Sequence, residues 1–145
     1  MFKHILIPTD GSELSAKAIK KGIKFASEIG ASVTGLNVVP KLHLIDYQLQ
    51  ILEETRESLN EATQSRARAI LDVLSKAAKA AGVECDTKIA VSDHPHKAII
   101  DTARKRGCDL ILMASHGRRG VAGVLLGSET HKVLTHSGIA VLVLR

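Results

Sequence analysis

Two stretches of this chain carry residue types that could do chemistry together. The first is Pro8-Thr9-Asp10-Gly11-Ser12, where a carboxylate and hydroxyls follow a short apolar run. The second begins Ala114-Ser115-His116-Gly117-Arg118-Arg119-Gly120 and continues past Gly123 to Leu126-Gly127-Ser128. Glycines let a backbone approach an anion without a Cβ in the way. A helix opening at Gly127-Ser128 would present unpaired N–H groups with the helix dipole behind them. A strand, a glycine-rich loop and a helix N-terminus in that order suit a phosphate. The same glycines could equally shape turns, with Ser128 acting as a cap. The spacing is not that of a P-loop, because no lysine precedes Ser128, which disfavours kinase-like or motor-like chemistry.

The remaining polar residues leave alternatives open. Arg118 and Arg119 could grip a terminal phosphate with bidentate donors or face solvent, and His116 could donate to a phosphate or make a backbone contact. His94 and His96 sit at a proline-marked helix start, and His131 and His136 lie five residues apart on different helix faces, so no protein-built metal site is expected. Cys85 and Cys108 lack CxxC spacing and read as reduced, partly buried thiols. A formal charge of +5 favours an anionic partner, and an aromatic content of 2% is too low for single-strand stacking platforms. A duplex, an acidic protein or a phosphorylated small molecule remains. No apolar run approaches the roughly 18 residues of a membrane span, and the start Met1-Phe2-Lys3 has no secretory pattern, so a cytosolic protein without membrane contact is expected.

The elements that must position these residues follow from periodicity. With 145 residues, 45% of them apolar, the chain suits one domain over residues 1–145. Five apolar, β-prone runs, His4 to Ile7, Ser32 to Val39, Glu84 to Val91, Asp109 to Ala114 and Ile139 to Leu144, alternate with helical patterns. The first helix should start near Ser12, turn Leu14, Ala18, Gly22, Phe25 and Ile29 inward, and stop at Gly30. A longer helix is predicted from Ile51 to Ala80 with Leu59, Ala62, Ala69, Ile70, Val73, Leu74 and Ala77 as its apolar positions and Gly82 as its stop. A third opens at Asp93-His94-Pro95, carries Ala98, Ile99, Ile100 and Ala103, and ends at Gly107. The last begins at Gly127-Ser128 and includes Val133 and Leu134. Residues 40–50 have no clean period and read as a loop or lid. Strands separated by helices pair in parallel through right-handed crossovers, so the expected fold is α/β, a single open parallel sheet with helices on both faces. Ligands of such sheets bind at the carboxyl ends of the strands, where both candidate stretches fall.

Ile7-Pro8-Thr9-Asp10-Gly11-Ser12, Met113-Ala114-Ser115-His116-Gly117-Arg118-Arg119-Gly120 and Leu126-Gly127-Ser128 together resemble the universal stress protein family over the whole chain. Its ATP-binding branch carries Gly, two residues, Gly, nine residues, then Gly with Ser or Thr. Gly117 and Gly127-Ser128 match, while Ala114 stands where the first glycine is expected. If that position needs φ > 0, the alanine costs about 1 kcal/mol; if it needs only closeness, the methyl can pass. The resemblance implies a five-stranded Rossmann-like sheet ordered 3-2-1-4-5, of the adenine nucleotide alpha hydrolase-like kind, with ATP across the switch point between strands one and four. Cys85 and Cys108 would then lie on non-neighbouring strands as free thiols.

The same resemblance implies that Pro8 and Val38 flank the adenine and that Asp10 accepts from the ribose, with a turn or cap role as the alternative for Asp10. Ala114, Gly117, Gly127, Ser128 and the Glu129 backbone would cradle the phosphates, and Thr9, Met113, His116 and Arg118 complete the implied set. Magnesium would enter through the phosphates, and ADP or AMP could replace ATP. As a sheet edge, Ile139 to Leu144 would expose an apolar ribbon, and pairing with a second copy through this strand would cover it. Nucleic acid is disfavoured as a partner. The expected function is a nucleotide-binding regulatory or stress-response homodimer with little or no rapid turnover. A slow ATP hydrolase and a nucleotide-free dimer working through protein partners are the alternatives.

Overall fold

The structure, a computed structural model, describes residues 1–43, 53–117 and 126–145. The chain runs β1 (His4–Pro8), α1 (Glu13–Ile29), β2 (Ser32–Val39), α2 (Glu53–Ala80), β3 (Cys85–Val91), α3 (Pro95–Arg106), β4 (Leu110–Ala114), α4 (Ser128–His136) and β5 (Ala140–Leu144). All strand pairs are parallel, and the sheet order is β3-β2-β1-β4-β5. The predicted elements and the implied strand order are thus present, with boundaries shifted by a residue or two. Positions 44–52, which include most of the predicted loop and the first two residues of the predicted long helix, lie outside the described residues.

Three helices end alike. Gly30, Gly82 and Gly107 take left-handed φ of 69°, 68° and 68°, the conformation glycine adopts without a Cβ penalty. The next residue's N–H then reaches back to the helix: Ala31 to Ala26 O, Val83 to Ala78 O and Cys108 to Ala103 O, each at 2.9 Å. Ala31, Val83 and Cys108 are themselves buried. Each stop therefore feeds the chain straight into the amino end of the following strand. At that end of the sheet the Asp109 carboxylate accepts from the Lys3 and His4 N–H groups, which fixes β4 beside β1.

The core has two layers. Ile5, Ile7, Val33, Leu110 and Leu112 meet Ile19, Ile23 and Ala26 of α1 and Leu74 and Ala78 of α2. On the opposite face Leu6, Leu36, Ile111 and Met113 meet Ile99 and Ala103 of α3 and Val133 of α4. The inward face of α1 is Ser15, Ala18, Ile19, Gly22, Ile23 and Ala26, so Leu14 and Phe25 sit at its margin and Ile29 is exposed. The stripe of α2 also differs from expectation. Ala67, Leu71, Leu74 and Ala78 are buried, while Leu59, Ala62, Ala69 and Val73 face outward. Leu74 is selected by Gly35 of β2, where a Cβ would come within 3.0 Å of a Leu74 methyl. In α4, Val133 is buried and Leu134 exposed.

The ladder between β1 and β4 is short, with Ile5 opposite Leu110 and Leu6 opposite Ile111. Farther along, each chain keeps to its other neighbour. The Thr9 N–H donates to Leu36 O beyond β1, and the Ser115 N–H donates to Leu144 O beyond β4, both at 2.8 Å. The two strands part at their carboxyl ends, leaving a crevice.

Both cysteines are free thiols; Cys85 lies in β3 and Cys108 two residues before β4. Burial pushes both thiols up, Cys108 to about 11. Because the thiolate is the reactive form and Cys108 is buried, iodoacetamide at about pH 8 should alkylate Cys85 at least tenfold faster, as read by peptide mapping. Equal native rates would contradict this packing. The α2 stripe is tested by truncation. Leu74→Ala should lower the free energy of urea unfolding by about 2–5 kcal/mol, whereas Val73→Ala should change it by less than about 0.5 kcal/mol.

Candidate functional site

The loop after β1 is braced from below. Thr9 is buried; its N–H bonds Leu36 O, its carbonyl accepts from the Asn37 amide at 2.9 Å, and its hydroxyl lies 3.0 Å from Ser15 Oγ. With all its polar groups engaged, Thr9 holds the loop in place. Ser12 caps α1 by accepting the Ser15 N–H at 3.1 Å. Asp10 Oδ1 accepts the Ser12 N–H at 2.9 Å, the self-closing turn that short carboxylates favour. Its turn role is therefore real, yet the same carboxylate also reaches the other side of the crevice. A Cβ placed on Gly117 would collide with Asp10 Oδ2. Glycine at 117 is what allows the two loops to touch.

On the β4 side, Ala114 closes the strand and is buried, and its carbonyl accepts the Thr130 hydroxyl at 3.0 Å. No described non-glycine residue has positive φ, so Ala114 carries no backbone strain. The left-handed freedom of a glycine is not used at this position. Ser115 is buried and its hydroxyl lies 3.2 Å from His116 Nδ1, which gives His116 a contact with its own neighbour. The Met113 side chain packs into the core, leaving only its backbone near the crevice.

Helix α4 enters over this crevice. The Gly127 N–H donates to Ser115 O at 2.7 Å, so it is already used within the protein. A Cβ on Gly127 would stand 3.0 Å from His116 Cα. This glycine thus permits close packing of α4 on the Ser115-His116 turn. The N–H groups at the start of α4, from Ser128 onward, have no carbonyl one turn earlier in the helix, and the Ser128 side chain is exposed beside them. Glu129 turns its carboxylate onto α3, where Oε2 accepts the His96 N–H at 2.8 Å and meets His96 Nδ1 at 3.2 Å. Burial would raise the Glu129 carboxyl, but the bonds from Lys132 and His96 hold it below the ordinary carboxylate range.

Pro8 and Val38 lie at the carboxyl ends of adjacent strands. Pro8 sits opposite Leu36, and half-buried Val38 lies two residues farther along β2 against the α3–α4 layer. Arg118, Arg119, Gly120 and Gly123 lie outside the described residues. Asn37, Ser15 and Thr130 escaped sequence reasoning, although all are buried polar groups of the site's frame. Asn37, polar amid the apolar run of β2, carried a signal that could have found it. His136 also comes unexpectedly close to His96, with ring centroids 5.8 Å apart, and His94 lies 6.3 Å from His96. Among the described residues no three His, Cys, Asp or Glu side chains gather to hold a metal. None of their helices is long and apolar enough to cross a membrane. A separate cleft of about 310 Å³ opens between α2 and β3, lined in part by Arg68, Leu71, Thr87 and Ile89, on the far side of β2 from the crevice.

A parallel five-stranded sheet in this order, split at its switch point and covered by helices on both faces, is a Rossmann-like α/β fold. The model of the universal stress protein family matches residues 1–145, and the chain belongs to that family. It is 31% identical to universal stress protein MJ0531 of Methanocaldococcus jannaschii across 100% of this chain and 83% of that protein. The solved structure of MJ0577, a universal stress protein of the same organism, superposes with a TM-score of 0.83 at 30% identity, covering 99% of this chain and 96% of that one. A universal stress protein solved in complex with cAMP shares the fold at 23% identity and a TM-score of 0.70, covering 99% and 97% of the two chains.

If Gly127 clears protein rather than ligand, Gly127→Val should destabilise the ligand-free protein by about 1–3 kcal/mol, as overpacking does. Thermal unfolding without nucleotide tests this, and a wild-type Tm would show that the glycine's neighbour is something else.

Proposed function

We propose that this chain is a universal stress protein that binds adenine nucleotide, with ATP as the ligand, in the crevice between β1 and β4. It would act as a cytosolic homodimer, a regulatory or stress-response module with little or no rapid turnover. The observation that carries the reading is the contact of Gly117 with the Asp10 carboxylate beside the opening of α4. A carboxylate for ribose hydroxyls and a helix N-terminus for phosphates then stand at one switch point. The cAMP complex of a related fold supports an adenine nucleotide as the class of ligand.

In this reading Pro8 and Val38 flank the base, and Asp10 accepts from the ribose. Ser128 and the Glu129 backbone supply the phosphate donors, with Ser128 Oγ beside them. Gly117, Gly127 and Ala114 keep the walls close, Met113 contributes through its backbone, and Thr9 braces the loop. Arg118 and His116 sit in the loop that would border the phosphates. Magnesium would be carried by the phosphates. The apolar edge strand Ala140–Leu144, with Leu142 38% exposed, supports pairing with a second copy.

Nucleotide released by denaturing the purified protein and separated by chromatography should be adenine nucleotide, and calorimetry should show ATP binding. At about 1 mM ATP even a site worth about −4 kcal/mol is half filled, so no heat and no co-purified nucleotide would sink the reading. Native mass spectrometry should show a dimer that Leu142→Lys converts to monomer.

A further inference from the structure

Glu129 stands in the first turn of α4, where a carboxylate is drawn to the helix's own positive end and could compete with a phosphate there. Its oxygens are committed elsewhere. Oε2 accepts the His96 N–H and contacts the His96 ring, and Oε1 accepts from Lys132 Nζ at 3.0 Å. Helix α3 needs that acceptor. It opens with Pro95, and its N-cap His94 makes no side-chain capping bond. The cap of α3 is therefore supplied by a side chain of α4.

This bond adds a lateral tether to the ones that already seat α4. Two bonds tie the helix start to the end of β4, from the Gly127 N–H to Ser115 O and from the Thr130 hydroxyl to Ala114 O. Both attachments lie at one strand end, and buried Val133 seats the body of the helix on the sheet. The third tether reaches sideways to α3, where the His96 side chain is only 13% exposed. It also holds the Glu129 charge against α3's amino end and Lys132.

We propose that Glu129 is the positioning residue of the phosphate cradle. Its carboxylate, by capping α3 from α4, aims the opening N–H groups of α4 at the crevice and keeps its own charge off the phosphates. The inference rests on the nucleotide reading of the site and adds the residue that sets the cradle's direction.

Titrations of wild type, Glu129→Ala and Glu129→Gln with ATP and with adenosine test it. Glu129→Ala should lower the ratio of ATP to adenosine affinity about tenfold, the scale of a lost cap. Glu129→Gln, whose amide oxygen still accepts the His96 N–H, should recover most of that ratio. A merely structural loss would weaken both ligands alike, and that result, an unchanged ratio, or a glutamine variant as poor as alanine would overturn the proposal. Amide exchange in the ligand-free protein gives a readout that needs no nucleotide. The His96 amide should exchange at least tenfold faster in Glu129→Ala and near the wild-type rate in Glu129→Gln, as for a released capping bond. Unchanged His96 exchange overturns the latch even if ATP binds. Wild-type protein that binds no ATP overturns the site reading and the cradle role with it, while exchange still decides the latch.

Discussion

Parallel strands oblige the chain to return to the same end of the sheet before each new strand begins, and the rest of this structure follows from how that return is made. From β1 the crossovers run outward through β2 to β3, then back to β4 and β5 on the opposite side. At the carboxyl ends Thr9 follows β2 and Ser115 follows β5. Where the short β1–β4 ladder ends, two backbone hydrogen bonds each go to the outer neighbour rather than the inner one.

The crevice there would close or fill unless its walls were held, and the holding is done by buried polar groups. Asn37 and Ser15 brace Thr9, while Thr130 braces Ala114. Among the described residues, every buried side-chain polar atom has a partner. An unmet polar group there would cost on the order of 1–3 kcal/mol, so these pairings oppose distortion of the loops as well as marking their place. Gly117 and Gly127 complete the frame by letting loop approach loop and helix approach turn.

The strands were readable because their runs are apolar and β-prone: Ile5-Leu6-Ile7 is covered on both faces, whereas Ala140–Leu144, equally apolar, is an edge strand with no fully buried residue. The helix stops were readable because left-handed termini favour one residue type. The inward face of α2 was readable only in part: Leu74 is buried as expected, but Leu59, Ala62, Ala69 and Val73 face outward. Its 28 residues span about 42 Å, while the eight residues of β2 span about 26 Å, so the first half of the helix extends past the sheet and leaves Leu59 and Ala62 exposed. Where the helix does meet the sheet, two neighbouring stripes fit the same period. Gly35, on another element, lies against both Leu74 and Leu71, so the stripe that contains Leu71 is the buried one. The site divides in the same way. Asp10, Gly117 and Gly127 announce themselves by type, whereas the Glu129–His96 bond joins helices whose angle no local pattern encodes.

Ala114 shows why such a site can lose a motif residue and keep its frame. The residue ends β4 with ordinary extended geometry, so the freedom of a glycine is not needed. What the frame takes from position 114 is a carbonyl, which the Thr130 hydroxyl uses to seat α4. The next N–H carries the ladder on to Leu144. Every residue type offers that carbonyl, and the alanine methyl is small enough to be buried beside it. In the crevice walls side-chain identity matters most where a Cβ would crowd its neighbour, at Gly117 against Asp10 and at Gly127 against His116, because there the missing atom lets the parts approach.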